Sequence, residues 1–527
     1  MYVKTDAAAI VGIDAVLVDV EVNMTEAGSG LWVVGLPDNS VKESVERITT
    51  AFASLDIVMP VKRIIVNLAP ADLRKEGSAF DLPIALAVLA SSGLIPAAEL
   101  KETMILGELS LDGGVRSIKG TLPLAAAAKK NEFKRIIVPQ ENALEAAVVE
   151  GIEVYGVESL KQIIEWFRGN EEVAQVTAQE SLREDEGDDL GRYYSDDFAD
   201  VKGQEAVKRA FEIAAAGGHN LIMIGPPGSG KTMLSKRLPT ILPPMTTNEA
   251  LETTKIYSVA GKLGLKSGLM RARPFRAPHH ITSQVAIIGG GSSPQPGEVS
   301  LANNGILFLD ELPEFGRAVL EVMRQPLEEK SITIARARYT VEYPANFTLV
   351  ASMNPCPCGY YNHPTKECSC TGGAVNRYLS KISGPLMDRI DLHIEVAPLS
   401  VAQINEERTE ETSAVIRKRV IAAREIQAKR FEGVERDGAA GCDERVAVTT
   451  NAMMTSRMLR DFCPLDDAAR KMLEMAMNTM QLSARAYDRI VKVARTIADL
   501  AQSEKIESVH IAEAIGYRSL DRDNWGR

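Results

Sequence analysis

The chain has 527 residues, of which 45% are hydrophobic and 25% are charged, and its formal net charge is −11 at pH 7. This composition is ordinary for a globular protein, and the length allows roughly three domains of about 150 residues each. The acidic balance gives no indication of nucleic-acid binding through overall charge, although a ring-shaped motor can line its pore with a few basic side chains. The most apolar window, residues 82–98, is too short to span a membrane and is interrupted by Pro83, Gly93 and Pro96. No secretory signal is evident, and we expect a cytoplasmic protein.

Residues 1–168 alternate between strand-like and helical patterns, which is typical of an α/β domain. Strands are predicted at residues 15–22, 63–68 and 135–138, and helices at residues 41–53, 82–90 and 122–130. The segment 169–195 is instead rich in acidic residues, glutamine and glycine, and we interpret it as a flexible acidic linker.

A phosphate-binding loop is the most specific pattern in the chain. It consists of Gly225, Pro226, Pro227, Gly228, Ser229, Gly230, Lys231 and Thr232. The apolar run 220–224 before it suits a buried strand, and residues 233–238 after it can begin a helix. Backbone N–H groups of such a loop turn toward phosphate oxygens at a helix N-terminus. Lys231 is expected to reach the β- and γ-phosphates of ATP, and Thr232 to ligate Mg²⁺.

Two further strands are predicted to end in polar residues that complete a nucleotide site. The apolar residues 305–309 lead to Asp310, a predicted Mg²⁺ ligand, and to Glu311, which can polarise the attacking water. The strand 347–353 leads to Asn354. Asn354 is predicted to orient the water or contact the γ-phosphate, and the alternative is that it only caps the following turn.

Two arginines are predicted to stabilise charge on the transferring phosphoryl group. Arg389 could act from a neighbouring subunit of a ring, because a planar guanidinium suits phosphate, or it could pair locally with Asp388 or Asp391. Arg485 starts a helix in the C-terminal part and could reach the nucleotide from there. The alternative for Arg485 is an ordinary exposed helix arginine.

Four of the six cysteines fall close together as two C-x-C pairs, namely Cys356, Cys358, Cys368 and Cys370. Four thiolates can close a tetrahedral zinc site, although the usual spacing within a pair is two to four residues. His363 lies between the pairs and could replace one ligand. A structural zinc ion would steady the polar strand end that precedes the loop, and four reduced thiols without metal are the alternative.

A pair of adjacent histidines, His279 and His280, ends the string 273–280. Adjacent residues of an extended segment point apart, so joint ligation of a metal ion is not expected. We interpret both histidines as structural or as part of a subunit interface.

The chain resembles AAA+ ATPases of the magnesium-chelatase clade, and more specifically the YifB/ComM family. The nucleotide-site residues above carry this resemblance together with residues 34–38, 67–77, 273–280, 354–359 and 483–489. The resemblance covers nearly the whole chain. It implies a P-loop AAA+ core of αβα type at residues 196–398 and a helical lid at residues 399–527.

For the ComM branch, the resemblance implies a homohexameric, Mg²⁺-dependent ATPase that translocates on DNA and drives branch migration in recombination and natural transformation. Two hairpins of the clade project toward the ring centre, and residues 283–297 and 332–341 match them. Arg336 and Arg338 would share one face and hold a DNA backbone, and Tyr339 could stack a base. An ordinary surface hairpin with basic residues is the alternative. The expected partners are DNA and further copies of this chain, with no membrane.

The N-terminal part resembles the Lon protease domain over residues 77–90, 106–120 and 136–142. Lon-type cleavage needs a serine nucleophile activated by a lysine. The resemblance places Ala79 at the serine position and Leu122 at the lysine position, so no peptidase activity is expected; a shifted dyad of Ser78 and Lys119 is the alternative. A chelatase-type or protein-remodelling ATPase is the second candidate function for the whole chain, and an ATP-dependent protease is less favoured.

Overall fold

The computed structural model describes residues 2–26, 28–177, 194–264, 268–291, 294–336, 339–361, 363, 365–398, 410–437, 445–480 and 482–518. The chain divides into two compact units, of which the first contains Met1–Asp188 and Thr246–Arg271, and the second contains Asp189–Met245 and Ala272–Arg527. The sequence-based division differs at Thr246–Arg271, because it placed this segment in the ATPase core.

The described strands are β1 (Tyr2–Val11), β2 (Asp14–Thr25), β3 (Gly30–Val34), β4 (Arg63–Ala69), β5 (Thr103–Ile105), β6 (Glu108–Leu109), β7 (Val115–Arg116), β8 (Arg135–Pro139), β9 (Glu153–Val157), β10 (Gln175–Val176), β11 (Leu221–Ile224), β12 (Phe275–Arg276), β13 (Gly289–Gly290), β14 (Gln295–Pro296), β15 (Ile306–Leu309), β16 (Ser331–Arg336), β17 (Tyr339–Pro344), β18 (Thr348–Met353), β19 (Leu392–Glu395), β20 (Glu435–Asp437) and β21 (Arg445–Ala447).

The described α-helices are α1 (Asn39–Ser54), α2 (Asp81–Ser91), α3 (Thr121–Lys130), α4 (Ala143–Ala146), α5 (Leu160–Phe167), α6 (Glu205–Gly217), α7 (Lys231–Ile241), α8 (Thr247–Val259), α9 (Gln284–Ile288), α10 (Glu298–Leu301), α11 (Arg317–Val322), α12 (Arg324–Glu329), α13 (Gly372–Leu379), α14 (Gly384–Met387), α15 (Ser413–Arg430), α16 (Ser456–Phe462), α17 (Asp467–Met480), α18 (Ala484–Leu500) and α19 (Ser508–Gly516). Short 3₁₀ helices lie at Ala97–Leu100, Gln140–Asn142, Phe198–Asp200, Leu312–Glu314 and Asn451–Met453. Within the described residues, no helix is both long enough and apolar enough to cross a membrane.

The first unit is built on an eight-stranded mixed sheet in the order β10-β9-β8-β5-β1-β2-β4-β3. In β2, Val18, Val20 and Val22 are buried while the intervening side chains are only partly covered, as the two-residue period of a strand requires. Helix α2 is buried along its whole length, which agrees with its apolar composition on every side. The predicted α/β fold of the N-terminal part is confirmed.

Helix α8 is held in the first unit by polar contacts as well as by packing. The carbonyl oxygen of Ser258 accepts a hydrogen bond of 3.0 Å from the backbone N–H of Gly120. The Ser258 hydroxyl donates to the carboxylate of Glu145, which is 5% exposed. Lys255 adds an ion pair of 3.2 Å with Asp14. A segment that follows the phosphate-binding loop in the chain is therefore an integral part of the N-terminal unit.

The second unit is built on a five-stranded parallel sheet in the order β12-β15-β18-β11-β19. Every residue of β11 and β15 is buried, which is the pattern of strands covered on both faces. The register pairs Ile224 with Met353 and Leu309 with Ala351, so the carboxyl ends of β11, β15 and β18 meet at one edge. The polar residues predicted to follow these strands are brought together by this register.

The C-terminal part of the second unit is helical, as predicted, apart from the short hairpin formed by β20 and β21. Buried polar contacts join helix α18 to the start of β19. Asp391, 1% exposed, pairs with Arg489 at 2.9 Å and with the ring of His219 at 3.1 Å. Burial opposes ionisation of Asp391, but the charge of Arg489 and the hydrogen bond to His219 overcome it and lower the pKa of this carboxyl. The helical lid and the parallel sheet thus share one buried ionic cluster.

Candidate nucleotide site

The phosphate-binding loop connects the buried strand β11 to helix α7, as the sequence predicts. Gly228 and Gly230 have φ values of 79° and 85°, a region that favours glycine. Gly225 has no room for a side chain, because a Cβ atom there would lie 2.4 Å from the carbonyl oxygen of Val396. Glycine is therefore favoured at Gly228 and Gly230 by the backbone conformation, and at Gly225 by the lack of space for a side chain.

Lys231 lies within the turn of the loop. Its Nζ donates hydrogen bonds to the carbonyl oxygens of Gly225 at 2.7 Å and Pro226 at 3.0 Å. A third bond, of 3.3 Å, goes to Oδ1 of Asn354 beyond the end of β18. Burial lowers the pKa of Lys231, and the nearby charges of Asp310 and Glu311 oppose that shift. The predicted lysine and the predicted asparagine are therefore in direct contact.

Asp310 is joined to the phosphate-binding loop through Thr232, whose Oγ1 donates to Oδ2 of Asp310 at 2.9 Å. The other carboxylate oxygen, Oδ1, accepts from the hydroxyl of Ser352 and, at 3.0 Å, from the backbone N–H of Glu311. A hydroxyl and a carboxylate oxygen side by side are the hard oxygen donors that Mg²⁺ prefers. The pair predicted to hold Mg²⁺ therefore has suitable chemistry. Ser352, which orients the carboxylate, was not predicted.

Glu311 has a left-handed backbone conformation, with φ of 54° and ψ of 49°. This region costs a residue other than glycine about 1–2 kcal/mol. Its carboxylate oxygen Oε2 lies 3.4 Å from Nδ1 of His280. Sequence reasoning assigned His280 a structural or interface role and missed this contact, because the spacing of two adjacent histidines gives no signal for a distant glutamate.

Arg389 and Arg485 occupy different surroundings. The Arg389 side chain is 8% exposed; its guanidinium pairs with the carboxylate of Glu328 and also donates to the carbonyl oxygen of Pro385. The alternative partners considered from sequence are taken by other arginines, since Arg485 pairs with Asp388 at 3.2 Å and Arg489 pairs with Asp391. The Arg485 side chain is 67% exposed.

The four clustered cysteines converge as the zinc prediction requires. The Sγ atom of Cys356 lies 3.3 Å from that of Cys358 and 3.6 Å from that of Cys368, and all four sulfur atoms lie within 4.8 Å of one another. A tetrahedral site with zinc–sulfur bonds of about 2.3 Å needs sulfur–sulfur separations of about 3.8 Å. His363 is not part of this cluster; its Nδ1 accepts from the backbone N–H groups of Thr365 and Lys366.

Two hairpins lie where the sequence places them. Strands β13 and β14 pair antiparallel, as do β16 and β17. They contact each other, since the Tyr343 hydroxyl donates to the carbonyl oxygen of Pro294 at 2.7 Å and a Cβ on Gly289 would lie 3.0 Å from Ile334. Arg336 ends β16, and its side chain lies outside the description, whereas Arg338 lies outside the described residues altogether.

Among the contacts described for Ser78, none is with a lysine. The Ser78 hydroxyl donates to the carboxylate of Glu108. Leu122 is buried, and its backbone N–H donates to Glu145 at 2.8 Å. The aliphatic part of Lys119 lies against Gly261.

The fold and the site define a P-loop ATPase with a parallel-sheet core and a helical C-terminal part. Family models bear this out in three segments: magnesium chelatase, subunit ChlI, matches residues 197–404; subunit ChlI of Mg-chelatase matches 20–142; and the ChlI C-terminal model matches 410–518.

Comparison with curated proteins identifies the branch. The chain is 43% identical to the competence protein ComM of Haemophilus influenzae over 98% of this chain and 97% of the relative. It is 41% identical to the uncharacterized protein YifB of Escherichia coli over 98% of this chain and 96% of the relative. An archaeal Lon protease of Methanocaldococcus jannaschii is 30% identical over 21% of this chain and 16% of its own length. The chain belongs to the YifB/ComM family of magnesium-chelatase-like AAA+ ATPases with an N-terminal Lon-like domain.

Proposed function

We propose that the protein is a Mg²⁺-dependent ATPase motor that works as a homohexamer, translocates on DNA and drives branch migration. The observation that carries the ATPase part is the convergence of Lys231, Thr232, Asp310 and Asn354 at one edge of the parallel sheet. The DNA part is supported by the full-length similarity to a protein named for competence and by the two hairpins that contact each other.

In this proposal each residue has a defined task. The loop N–H groups and Lys231 bind the phosphates, and Thr232 and Asp310 hold Mg²⁺. The metal ion, when bound, neutralises charge on the phosphate oxygens during cleavage. Glu311 orients and polarises the attacking water, and Asn354 contacts the γ-phosphate or that water. The positions of the acid and amide side chains around the lysine support these proposed tasks.

Arg389 and Arg485 are proposed to stabilise the charge that develops on the phosphoryl group. A guanidinium supplied across a subunit boundary would make hydrolysis dependent on assembly. For Arg389 this requires an exchange of partners, because its guanidinium is paired with Glu328, whose side chain is 55% exposed. Because the Glu328 side chain is half-exposed, it has room to move away and release the Arg389 guanidinium.

The same proposal includes a structural zinc ion held by Cys356, Cys358, Cys368 and Cys370. The convergence of the four sulfur atoms supports it. Four protein ligands close the coordination shell, so the metal ion would have no open position for catalysis. Metal analysis of the purified protein, with Cys368→Ser as the comparison, tests this part.

The decisive experiment is an ATPase titration with single-stranded, duplex and branched DNA. We expect DNA to stimulate turnover, Lys231→Ala to abolish it, and branched DNA to be unwound. Arg336→Ala and Arg338→Ala should weaken DNA binding and reduce its dependence on salt. Arg470→Ala, which removes a 59% exposed arginine from α17, is the matched control. The DNA assignment would be refuted if no form of DNA changed the rate of ATP turnover and no branched DNA were unwound.

A second candidate is a motor that remodels a protein partner. The three matches to magnesium-chelatase models favour it. In that case turnover would be indifferent to DNA and would rise when the protein partner is added, which the same assay distinguishes.

A further inference from the structure

We propose that the cysteine loop, residues 356–361 and 365–370, is a zinc-held clamp that sets the position of the phosphate-binding loop and thereby its affinity for nucleotide. This inference rests on the proposed nucleotide and zinc sites. It adds a role for the metal: the zinc ion acts on ATP binding rather than only on the stability of its own loop. Three contacts of described residues lead to this conclusion.

The first contact is between Gly359 and Pro227. Gly359 has a φ of 84°, and a Cβ atom on it would lie 2.6 Å from Cδ and 2.8 Å from Cγ of the Pro227 ring. Such an approach is possible only for glycine, because a real Cβ atom does not come so close to another carbon. The cysteine loop therefore lies directly against the phosphate-binding loop. The contacted residue, Pro227, precedes Gly230 by three residues and Lys231 by four.

The second contact links the same loop to the lysine. Asn354, whose Oδ1 accepts from Lys231 at 3.3 Å, stands two residues before the buried Cys356. The backbone N–H of Tyr361 donates to Sγ of Cys356 at 3.3 Å, which closes the first half of the loop on its own cysteine. A shift of Cys356 would therefore move the asparagine that contacts Lys231.

The third contact comes from helix α13, which begins at Gly372, two residues after Cys370. The backbone N–H of Asn354 lies close enough to the Tyr378 hydroxyl to oppose the rise of its pKa. Burial, followed by the charge of Glu314, raises the pKa of Tyr378, so the hydroxyl stays protonated. The residues on both sides of the cysteine cluster thus converge on Asn354.

Zinc ligation is what would make these contacts rigid. Thiols are weak hydrogen-bond donors and acceptors, so thiol contacts alone hold the two halves of the loop loosely. Ligation by four thiolates contributes many kcal/mol of folding free energy to small metal sites. A cross-linked loop would hold Gly359 against Pro227 and Asn354 against Lys231 at the same time.

The test measures binding of a fluorescent ATP analogue to the full-length protein, before and after zinc is removed by a chelating resin and Mg²⁺ is restored. We expect stripping to weaken binding by about tenfold or more, as displacement of positioning groups does, and zinc alone to restore it. Circular dichroism at each step shows whether the remaining structure is intact. Unchanged affinity after complete removal of zinc overturns the inference.

Point variants test the clamp without removing the metal. Gly359→Ala should weaken nucleotide binding while the zinc content stays at the wild-type level. Pro227→Ala removes the two ring atoms that the new Cβ meets, so the double variant should bind better than Gly359→Ala alone. Gly372→Ala is the control, because a Cβ there meets nothing within 4 Å. Equal affinities of the wild type and Gly359→Ala, or no improvement in the double variant, contradict the clamp.

The failure of this inference is distinct from failure of the proposed function. If the wild-type protein binds no nucleotide, or binds it as well with Lys231→Ala, the proposed nucleotide site is wrong. If wild type binds through Lys231 but zinc and Gly359 have no effect, only the clamp is wrong. If Gly359→Ala loses its zinc, the nucleotide affinity of the wild type with zinc removed and then restored decides whether the clamp exists.

Discussion

Glu311 stands out at the level of single residues, because it combines a left-handed backbone with a carboxylate that faces His280. Backbone strain of this kind persists where the surrounding structure determines it, and it concentrates at functional sites. The strained residue follows Asp310 directly, and its backbone N–H donates to Oδ1 of Asp310 at 3.0 Å. This observation motivates two predictions for residues around the acid pair.

Replacing the carboxylate of Glu311 with an amide should separate binding from hydrolysis. Glu311→Gln keeps the size of the side chain but cannot accept a proton from water, so we expect turnover to fall about 10²–10⁴-fold while ATP still binds. Glu314→Gln is the control. Glu314 lies three residues after Glu311, is half-exposed and pairs with Lys381. Wild-type turnover by Glu311→Gln would show that another group activates the water.

Removing the His280 ring should change turnover more than affinity. A contact between an imidazole and a charged carboxylate contributes about 1.5 kcal/mol, which corresponds to about tenfold. We therefore expect His280→Ala to change kcat by about tenfold and to leave the Kd for ATP unchanged, and we expect His279→Ala to leave both near wild type. Steady-state kinetics and analogue binding measure the two effects; a loss confined to Kd would contradict a positioning role.

Sequence patterns predicted the local part of the site and missed its long-range part. Lys231 and Thr232 follow from the spacing within one loop, and Asp310 from the end of one apolar strand. The contacts of Glu311 with His280 and of Arg389 with Glu328 depend on tertiary placement, for which neither residue's neighbours give a signal.

At the scale of single elements, helix α18 contains three buried charged residues, Lys492, Arg495 and Asp499. Lys492 is 8% exposed, and its ammonium donates to the carbonyl oxygen of Ala452 at 3.0 Å. Burial, reinforced by the charge of Arg489, lowers the pKa of Lys492 to about 8. The native state therefore loses this proton at a lower pH than the unfolded chain does.

This difference predicts the sign of a pH dependence. Between about pH 8 and 10.5 the unfolded state binds more protons than the native state, so the contribution of Lys492 to stability rises with pH. Lys492→Met should flatten that rise and should raise stability near neutral pH by about 1–3 kcal/mol. Thermal unfolding across this range measures it, with exposed Lys471→Met as the control. Lys330, whose pKa is also lowered to about 8 by burial, is present in both variants and cancels.

Several elements were predicted to within one or two residues. The expected strand 63–68 is observed at Arg63–Ala69, and the helix predicted at 122–130 is observed at Thr121–Lys130. Strand period and amphipathic spacing are local properties, so these elements can be read from the sequence. The pairing of β19 with β11 is not local, and no pattern in Leu392–Glu395 indicates which neighbour it takes.

At the scale of the whole molecule, the main difference between the compact units and the sequence-based division concerns α8. Its sequence lies between the phosphate-binding loop and Asp310, and the linear order alone placed it in the ATPase core. The structure assigns it to the first unit, where Ser258 contacts Glu145 and Gly120. Linear order cannot reveal which of two cores a helix covers.

A cut in the acidic segment 178–193 tests this assignment. If a site for a specific protease is placed there and cleaved, the two fragments should elute together, because α8 belongs covalently to the second fragment and structurally to the first unit. Ser258→Arg, which places a side chain too large for the buried Ser258 position against Glu145, should weaken this association. Asn248→Arg, at an exposed position of the same helix, should not. Separation of the wild-type fragments on a sizing column would contradict the assignment.

The chain crosses between its two units three times, after residues 188, 245 and 271. A designer who wished to transplant the Lon-like module onto another motor would therefore have to move two stretches of gene rather than one. A chimera joined only at the acidic segment would give one parent's sheet the other parent's α8. Compatibility at Gly120, Glu145 and Ser258 would then decide whether the hybrid folds.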